Sequence, residues 1–224
     1  MNVARPRFGR RAAFALLGAL LGGVALAGTS RAQTAPEPLA APPLGPVPKE
    51  LLTELEANPV RVQEQAGDPR PDDRAAQAQA LVLFEQPRIV VLRLLAAVAR
   101  QVEYRPELQR LSILEASALG DLVDYRVRFM LTTLHYRARH GWDFERGRVW
   151  WTLDPHFPND LKVLDGLWEV RDLDERRTFG RFTTRIDLGP ALPAFLQDYA
   201  TRKKLPDSME QVRRWVDSNG RWRP

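Results

Sequence analysis

Residues 121–188 decide the fold, and they begin with DLVDYRVRFMLTTLHYRARHGWDF, residues 121–144. In the first strand of this stretch, apolar side chains recur at every second position and mostly charged side chains separate them. The apolar set is Val123, Tyr125, Val127, Phe129 and Leu131. Because residues two apart in an extended chain share a face, one side of this strand is apolar and the other is polar.

The same alternation continues through further segments that short turns separate. Its apolar positions are Tyr136, Ala138, His140, Trp142 and Phe144, then Val149, Trp151 and Leu153, then Gly166, Trp168 and Val170, and then Gly180, Phe182, Thr184 and Ile186. Such strands predict an antiparallel meander with one apolar face that is crowded with aromatic rings. Within it, Gly166 is expected either to serve tight strand geometry or to make room beside Trp168.

Length and charge are typical of a single-domain protein without a nucleic-acid partner. The 224 residues suit one domain with extensions. The chain has 33 basic and 28 acidic side chains, but residues 1–32 hold five arginines and no acid, so 28 basic side chains face 28 acidic ones in the remainder. A neutral body gives no support for nucleic-acid binding. Since there is no cysteine, disulfides and thiolate chemistry are excluded.

Residues 1–32 have the pattern of a signal peptide. The basic segment 5–11 precedes the apolar segment 12–27, which has the length of a signal-peptide core and is short for a membrane span. Small residues at the −3 and −1 positions predict cleavage after Ala32, and cleavage after Ala27 is the alternative. We expect export to a bacterial periplasm, with the body either released or held by an uncleaved N-terminal anchor.

The segments before the meander differ in composition. Residues 33–48 are rich in Pro and Ala and predict a semi-extended tether. Residues 49–74 form an N-terminal extension, in which a short helix begins at Lys49 and a strand covers Val60–Gln63. A further strand is predicted at Ala75–Glu85. Its inward side chains are Ala78, Ala80, Val82 and Phe84.

Residues 88–103 are the first stretch with a clear helical period. Apolar side chains recur there three and four residues apart. They are Val91, Leu92, Leu95, Val98, Ala99 and Val102. This wide stripe predicts one continuous helix that packs against the sheet, followed by another strand at Leu111–Ala116.

The C-terminal quarter predicts a long helix. One helical face carries Leu192, Phe195, Leu196 and Tyr199, and a second segment continues it with Met209, Val212 and Val216. Pro206 predicts a kink or a break between the two segments, and Asp207 or Ser208 would cap the second. Asn219-Gly220 predicts its end, and residues 219–224 would be a tail.

Several short motifs within residues 75–218 resemble those of one superfamily. They are Phe84-Glu85-Gln86-Pro87, Tyr104-Arg105-Pro106, Leu111-Ser112-Ile113-Leu114-Glu115, Asn159-Asp160, Gly166-Leu167-Trp168-Glu169-Val170, Thr178-Phe179-Gly180-Arg181-Phe182 and Leu192-Pro193. With these motifs the chain resembles the START-like, polyketide cyclase/dehydrase and lipid-transport superfamily (SRPBCC), and its coenzyme Q-binding START-like group most of all. One position departs from the family pattern: an aspartate often ends the first helix, whereas Leu95–Ala99 is wholly apolar here.

The resemblance implies an α+β helix-grip fold, in which a curved antiparallel sheet wraps a long, kinked C-terminal helix. It also implies a cavity between sheet and helix that holds a lipid, an isoprenoid quinone or a polyketide-like molecule. The residues that would bind this ligand are Tyr125, Val127, Phe129, Tyr136, Ala138, His140, Trp151, Trp168, Phe182, Phe195, Leu196 and Tyr199. The alternative is that this aromatic stripe is ordinary hydrophobic core.

We expect an exported carrier rather than an enzyme, with no cofactor, no metal and no catalytic residue, since no nucleophile-elbow, zinc-helix, phosphate-loop or dinucleotide pattern occurs. A cyclase or dehydrase would need a polar pair in the cavity, and His140 shares a strand face with Tyr136 but not with Asp143. A third option is a periplasmic interaction module without a ligand. His135 and His140 point to opposite faces and cannot share a metal ion, while His156 lies in a polar loop.

Transient membrane contact is expected, if anywhere, at the basic cluster Arg202, Lys203 and Lys204 beside the helix break. The arginines on the polar strand face, such as Arg126 and Arg137, are expected to face solvent or anionic headgroups.

Overall fold

The described part of the chain consists of one antiparallel sheet, three α-helices and a 3₁₀ helix. The computed structural model describes residue 39 and residues 44–65, 75–130, 132–189 and 203–224. In chain order the elements are α1 (Lys49–Ala57), β1 (Val60–Gln65), β2 (Ala76–Phe84), α2 (Arg88–Ala96), the 3₁₀ helix (Val98–Glu103), β3 (Leu108–Ser117), β4 (Gly120–Phe129), β5 (Thr132–Asp143), β6 (Arg148–Leu153), β7 (Val163–Asp172), β8 (Thr178–Asp187) and α3 (Leu205–Asp217). The predicted leader and the predicted helical face at residues 192–199 lie outside the described residues. Of the helices described, none is long and apolar enough to cross a membrane.

The strands pair antiparallel in the order β1-β2-β8-β7-β6-β5-β4-β3. The strands from β4 to β8 form the predicted meander, and β3, the further strand predicted before it, pairs with β4. Strand β2 pairs with β8 at the other end of this run, with Ala80 opposite Phe182. Strand β1 pairs with β2, so the N-terminal extension belongs to the same sheet.

The inner face of the sheet carries two clusters of buried apolar side chains. The first packs β2, β7 and β8 against α2 and α3, and it contains Phe84, Leu92 and Trp215. The second packs β4 and β5 with the 3₁₀ helix, and it contains Val123 and Val98. Because burial of a large apolar side chain contributes about 1.5–3 kcal/mol, these clusters hold the helices against the sheet.

The outer face is apolar in part, which corrects the prediction of a single apolar face. Leu81 and Leu83 of β2 and Phe179 of β8 point outward and are buried. They pack with Leu55 of α1, which is fully buried. The helix α1 therefore covers one part of the outer face.

The segment before α1 also lies on this outer face. Leu39 packs on Trp150 of β6 and Leu167 of β7. Arg171 of β7 donates a hydrogen bond to the carbonyl oxygen of Gly45. The described residues of the predicted tether are therefore bound along the sheet.

The helix predicted over residues 88–103 is interrupted at Ala97. This residue has φ −77° and ψ 66°, outside the helical range, and α2 ends before it. The chain continues as the 3₁₀ helix, in which Val98 joins the second inner cluster while Val102 is 52% exposed. The prediction of one continuous helix is wrong, because the apolar side chains of this stretch pack into two different clusters.

The last helix begins before Pro206, not after it. α3 starts at Leu205, and Pro206 lies in its first turn, where the missing N–H has no helical partner to lose. Neither Asp207 nor Ser208 is therefore the cap. The predicted apolar face is confirmed by the burial of Met209, Val212 and Val216.

The C-terminal end of α3 is attached to the end of the 3₁₀ helix. Trp215 is fully buried, its Nε1 donates to Glu103 Oε2 at 3.1 Å, and its ring lies 4.5 Å from the ring of Tyr104. Arg223 Nη2 donates to the same Glu103 oxygen at 2.8 Å, so the tail is attached here as well. The helix ends at Asp217, and the predicted stop Asn219-Gly220 follows directly after its cap Ser218, with positive φ at both residues.

Candidate functional site

A cavity of about 870 Å³ lies between the inner face of the sheet and α3. It is situated where the two inner clusters meet, and its wall includes Trp168 from the first cluster and Tyr136 from the second. Met209 and Val212 border it from α3. Its volume is within the range of about 300–1,000 Å³ that is typical of small-molecule sites.

All predicted ligand-binding residues that the structure describes line this cavity. They are Tyr125, Val127, Phe129, Tyr136, Ala138, His140, Trp151, Trp168 and Phe182. Phe195, Leu196 and Tyr199 lie outside the described residues. The aromatic stripe is thus both core and cavity wall, and that it binds a ligand stays a prediction.

A continuous row of aromatic rings crosses the inner face of the sheet. In order, the rings belong to Tyr136, Tyr125, His140, Trp151, Phe182, Trp168 and Phe84. Neighbouring ring centroids lie 5.0–5.9 Å apart, a separation at which offset and tilted rings attract each other. We call this set the aromatic row.

Gly166 allows the aromatic row to pass over β7. The Trp151 ring of β6 lies above Gly166 and reaches Phe182 of β8, with 5.8 Å between the two ring centroids. The space that Gly166 leaves is therefore filled by Trp151, whereas of the two predicted roles one was to make room beside Trp168. The register is the reason, because Gly166 stands directly opposite Trp151.

The polar part of the wall is centred on a hydrogen bond of 2.8 Å between Tyr125 Oη and His140 Nε2. The sequence had offered Tyr136 as the partner of His140. Tyr136 instead stacks on Tyr125, its neighbour across the two strands, with 5.1 Å between centroids. Tyr125 thereby occupies the place between Tyr136 and His140.

Side chains from the 3₁₀ helix and the loop after it complete this polar part. Arg105 Nε donates to Glu107 Oε1 at 2.8 Å, and Arg105 Nη1 donates to Gln101 Oε1 at 3.3 Å. The hydroxyl of Tyr125 lies 3.4 Å from the same Gln101 oxygen. We call Gln101, Arg105, Tyr125, Tyr136 and His140 the polar pole.

Burial keeps the imidazole and the phenols of the polar pole uncharged. Burial, and then the charge of Arg105, lower the pKa of His140 from 6.5 to about 3. Burial raises the pKa of Tyr125 well above 10, and it also raises the pKa of Tyr136. At neutral pH these three side chains therefore offer hydrogen bonds and no charge.

Several cavity residues were not selected from the sequence. They include Gln101, Arg105, Leu134, Leu161, Met209, Val212 and Trp222. Met209 and Val212 lie on an apolar helical face that the sequence shows, so they could have been found. Arg105 and Trp222 lie in segments without a hydrophobic period, and only a family motif pointed to Arg105.

The histidines do not form a metal site. His135 points to the outer face, where its Nε2 lies 3.0 Å from Asp124 Oδ2, and this confirms that it is separated from His140. Among the residues that the structure describes, no group of His, Asp and Glu side chains could hold a metal ion.

Comparison with known proteins identifies the fold. No protein-family model matches the sequence, and no curated protein matches it. The STAR-related lipid transfer protein of Xanthomonas axonopodis has a TM-score of 0.60 at 10% identity, over 71% of this chain and 94% of that one. Human STARD10 has a TM-score of 0.58 at 11% identity, over 79% and 82%. The Zhui aromatase/cyclase of a Streptomyces species has a TM-score of 0.56 at 18% identity, over 66% and 97%.

The chain has the START-like helix-grip fold. The predicted α+β fold class and the START-like resemblance are thereby confirmed at the level of the fold. At these identities the comparisons do not distinguish the coenzyme Q-binding group from other START-like proteins.

We expect the substitution Gly166→Ala to lower the free energy of unfolding by about 1–3 kcal/mol, because a methyl group there displaces the Trp151 ring. Urea unfolding followed by tryptophan fluorescence measures this loss. The matched control is Gly45→Ala, whose new Cβ would meet no described atom within 4 Å. Equal stability of the two variants would show that Trp151 does not lie over Gly166.

His140 predicts a pH dependence of stability. The folded protein keeps the imidazole neutral down to about pH 3, whereas the unfolded chain protonates it below about 6.5. The unfolded state thus binds more protons in this window, and the free energy of unfolding falls as the pH drops through it. The contribution of His140 is up to about 1.4 kcal/mol per pH unit.

The measurement compares urea unfolding at about pH 7.5 and about pH 5 for three proteins. In the variant His140→Gln, the loss of stability between the two pH values should be about 2 kcal/mol smaller than in the wild type. The control His156→Gln changes an exposed histidine and should behave as the wild type does. An unchanged pH dependence in His140→Gln contradicts the neutral, buried imidazole.

Proposed function

We propose that the protein is a carrier that binds one hydrophobic small molecule in the cavity between the sheet and α3. The observation that carries this proposal is the aromatic row, whose rings from Tyr136 to Trp168 line a cavity of about 870 Å³ as one continuous wall. Burial of apolar surface stabilises a complex by about 25 cal/mol per Å². Such a wall can therefore hold an apolar ligand without any reactive group.

The electrostatics of the polar pole favour binding over acid–base catalysis. An efficient general acid or base has a pKa near the working pH. The pKa of His140 is about 3 and that of Tyr125 lies well above 10, so neither group readily changes its protonation state at neutral pH. Both groups remain well suited to orienting a ligand by hydrogen bonds.

The names of two structural neighbours support a hydrophobic ligand. One neighbour is named a STAR-related lipid transfer protein and another an aromatase/cyclase. We infer from the first name that a lipid-like molecule is a suitable ligand class for this cavity. The second name shows why an enzyme is the alternative to be tested.

An isoprenoid quinone is the ligand that we place beside lipids in this proposal. A quinone ring is flat and can stack on the aromatic row. Its carbonyl oxygens can accept hydrogen bonds from the polar pole, and its isoprenoid chain can lie against apolar wall residues such as Val127, Leu134 and Leu161. The resemblance to the coenzyme Q-binding group supports the same choice.

We further propose that the carrier works after export. The basic and apolar pattern of residues 1–32 supports this, with cleavage after Ala32 or Ala27. The intact mass of the protein recovered from a periplasmic fraction should lack the leader. A full-length mass in the membrane fraction would instead show an uncleaved anchor, and a full-length mass in the cytoplasm would remove the export proposal.

A transient contact with an anionic membrane is also proposed, at the basic residues Lys203 and Lys204, of which Lys204 lines the cavity. Both are exposed, and Arg202 of the predicted basic cluster lies outside the described residues. Exposed basic side chains match a surface of anionic headgroups. Failure to sediment with phosphatidylglycerol-rich vesicles would remove this part of the proposal.

Native mass spectrometry of the protein purified from its exported form should show a bound mass that organic extraction removes. The variant Ala138→Phe places a ring inside the cavity and should lose this mass while circular dichroism shows an intact fold. The control Ala57→Phe adds the same ring at an exposed position of α1 and should keep it. A wild-type protein that carries no mass and also excludes fluorescent lipids and quinones would overturn the carrier proposal.

The second candidate function is a cyclase or dehydrase. The observation in its favour is the hydrogen bond between Tyr125 and His140 inside the cavity. The same spectrometer distinguishes the two functions: a carrier returns its ligand unchanged, whereas a dehydrase returns a molecule that has lost water. Loss of this conversion in Tyr125→Phe would assign it to the hydrogen-bonded pair.

A further inference from the structure

We propose that the cavity selects hydrophobic ligands whose polar head is a carbonyl or carboxylate oxygen over ligands with an ammonium head, because Arg105 and the hydrogen-bond donors of Gln101 and His140 line it. This inference rests on the proposed carrier function and adds to it the chemical class of the head group.

The hydrogen bonds of Tyr125 assign the proton positions of His140. A phenol has one proton to donate. Tyr125 Oη lies 2.8 Å from His140 Nε2 but 3.4 Å from Gln101 Oε1, and an O–H donor rarely forms a strong bond at the longer distance. The proton of Tyr125 therefore points to Nε2, which acts as the acceptor. A neutral imidazole then carries its own proton on Nδ1.

The Nδ1–H group of His140 opens into the cavity. In the described ranges, the only hydrogen bond of the His140 ring is the one to Tyr125. No buried side-chain nitrogen or oxygen in these ranges lacks a partner, so an unpartnered Nδ1 is not sealed inside the protein. Since His140 lines the cavity, the cavity is where this donor is accessible.

The rest of the polar pole also offers donors. The oxygen of Gln101 accepts from Arg105 Nη1 at 3.3 Å, and its amide –NH₂ is a donor for a ligand. Arg105 uses Nε and Nη1 for Glu107 and Gln101, and a guanidinium has further N–H groups. The hydroxyl of Tyr136 adds one further O–H donor to the cavity wall.

The acidic side chains that line the cavity do not change this pattern. Glu107 accepts the hydrogen bond from Arg105 Nε, and Glu210 is paired with Arg213 and Arg214. Asp207 is exposed on the first turn of α3. An ammonium head at the polar pole would therefore lose its hydration beside the like charge of Arg105, which is costly in an apolar surrounding.

A ligand oxygen of the sp² type fits these hydrogen-bond donors. It has two lone pairs that can accept from the donors of the polar pole, and a hydrogen bond from a guanidinium to oxygen is stronger than one between neutral groups. Quinones, ketones and fatty acids share this oxygen. Lipids with a choline head present a cation instead.

The test compares three probes with the same saturated chain: myristate, the methyl ketone of equal length, and tetradecyltrimethylammonium, each below its micelle concentration. Quenching of tryptophan fluorescence in the purified full chain reports binding, because Trp151 and Trp168 line the cavity. We expect at least one of the two oxygen-headed probes to bind about tenfold or more tightly than the ammonium probe. The tighter of the two identifies the head as a carboxylate or as a neutral carbonyl.

Two variants connect the preference to the polar pole. Arg105→Gln and His140→Phe each remove a donor and should reduce the preference to about threefold or less. Arg110→Gln removes the same charge from an exposed position of β3 outside the cavity and should keep the preference. Circular dichroism verifies that each variant is folded.

A further measurement does not depend on any variant. A long-range ¹H–¹⁵N spectrum of the wild type at neutral pH should show the proton of His140 on Nδ1. A proton on Nε2 would turn Nδ1 into an acceptor and overturn the inference.

The binding outcomes separate the two proposals. Equal affinity for the three probes overturns the head-group inference and leaves the carrier proposal standing. If no probe binds, the carrier proposal fails and the inference fails with it.

Discussion

The contact between the Trp151 ring and Gly166 is the constraint on which the inner wall of the cavity depends. A ring on β6 reaches β8 only because β7 carries no side chain at the position between them. With this contact the rings from Tyr136 to Phe84 form one row, and without it the row would consist of two separate groups. Because neighbouring rings contact each other, the wall keeps its shape without a bound ligand.

The attachment of α3 explains why the helix does not close onto this wall. Its anchors are at its C-terminal end, where Asp217 Oδ1 accepts from the backbone N–H of Glu85 at 2.8 Å and Trp215 donates to Glu103 at 3.1 Å. The cavity instead borders the earlier part of the helix, around Met209. The helix is thus held at its C-terminal end while its earlier turns border the cavity. A fold held in this way can keep an apolar space that simple hydrophobic collapse would fill.

Sequence periodicity predicts the secondary structure well where a strand or helix buries one face. It predicts it poorly where one segment packs into two different clusters. A period of two placed the aromatic side chains on the inner face, because strand geometry fixes which residues share a side. The same reasoning missed the break at Ala97, since the apolar side chains of residues 88–103 keep a helical spacing although the chain changes direction there. It also chose Tyr136 over Tyr125 as the partner of His140, because strand register is not visible in a single strand. Arg105 lies in a loop, where no period exists to detect it.

Burial has two opposite effects at the polar pole, and their balance decides between a carrier and an enzyme. The low dielectric that strengthens a hydrogen bond from Arg105 to a ligand oxygen also removes the charge from His140, whose pKa falls to about 3. A site that must transfer protons needs a group that titrates near its working pH, and such a group needs a compensating charge beside it. The nearest charge is Arg105, and its positive sign opposes an imidazolium. Proton transfer to His140 would therefore become favourable only if the ligand carried a negative charge. Binding alone does not require a charged ligand.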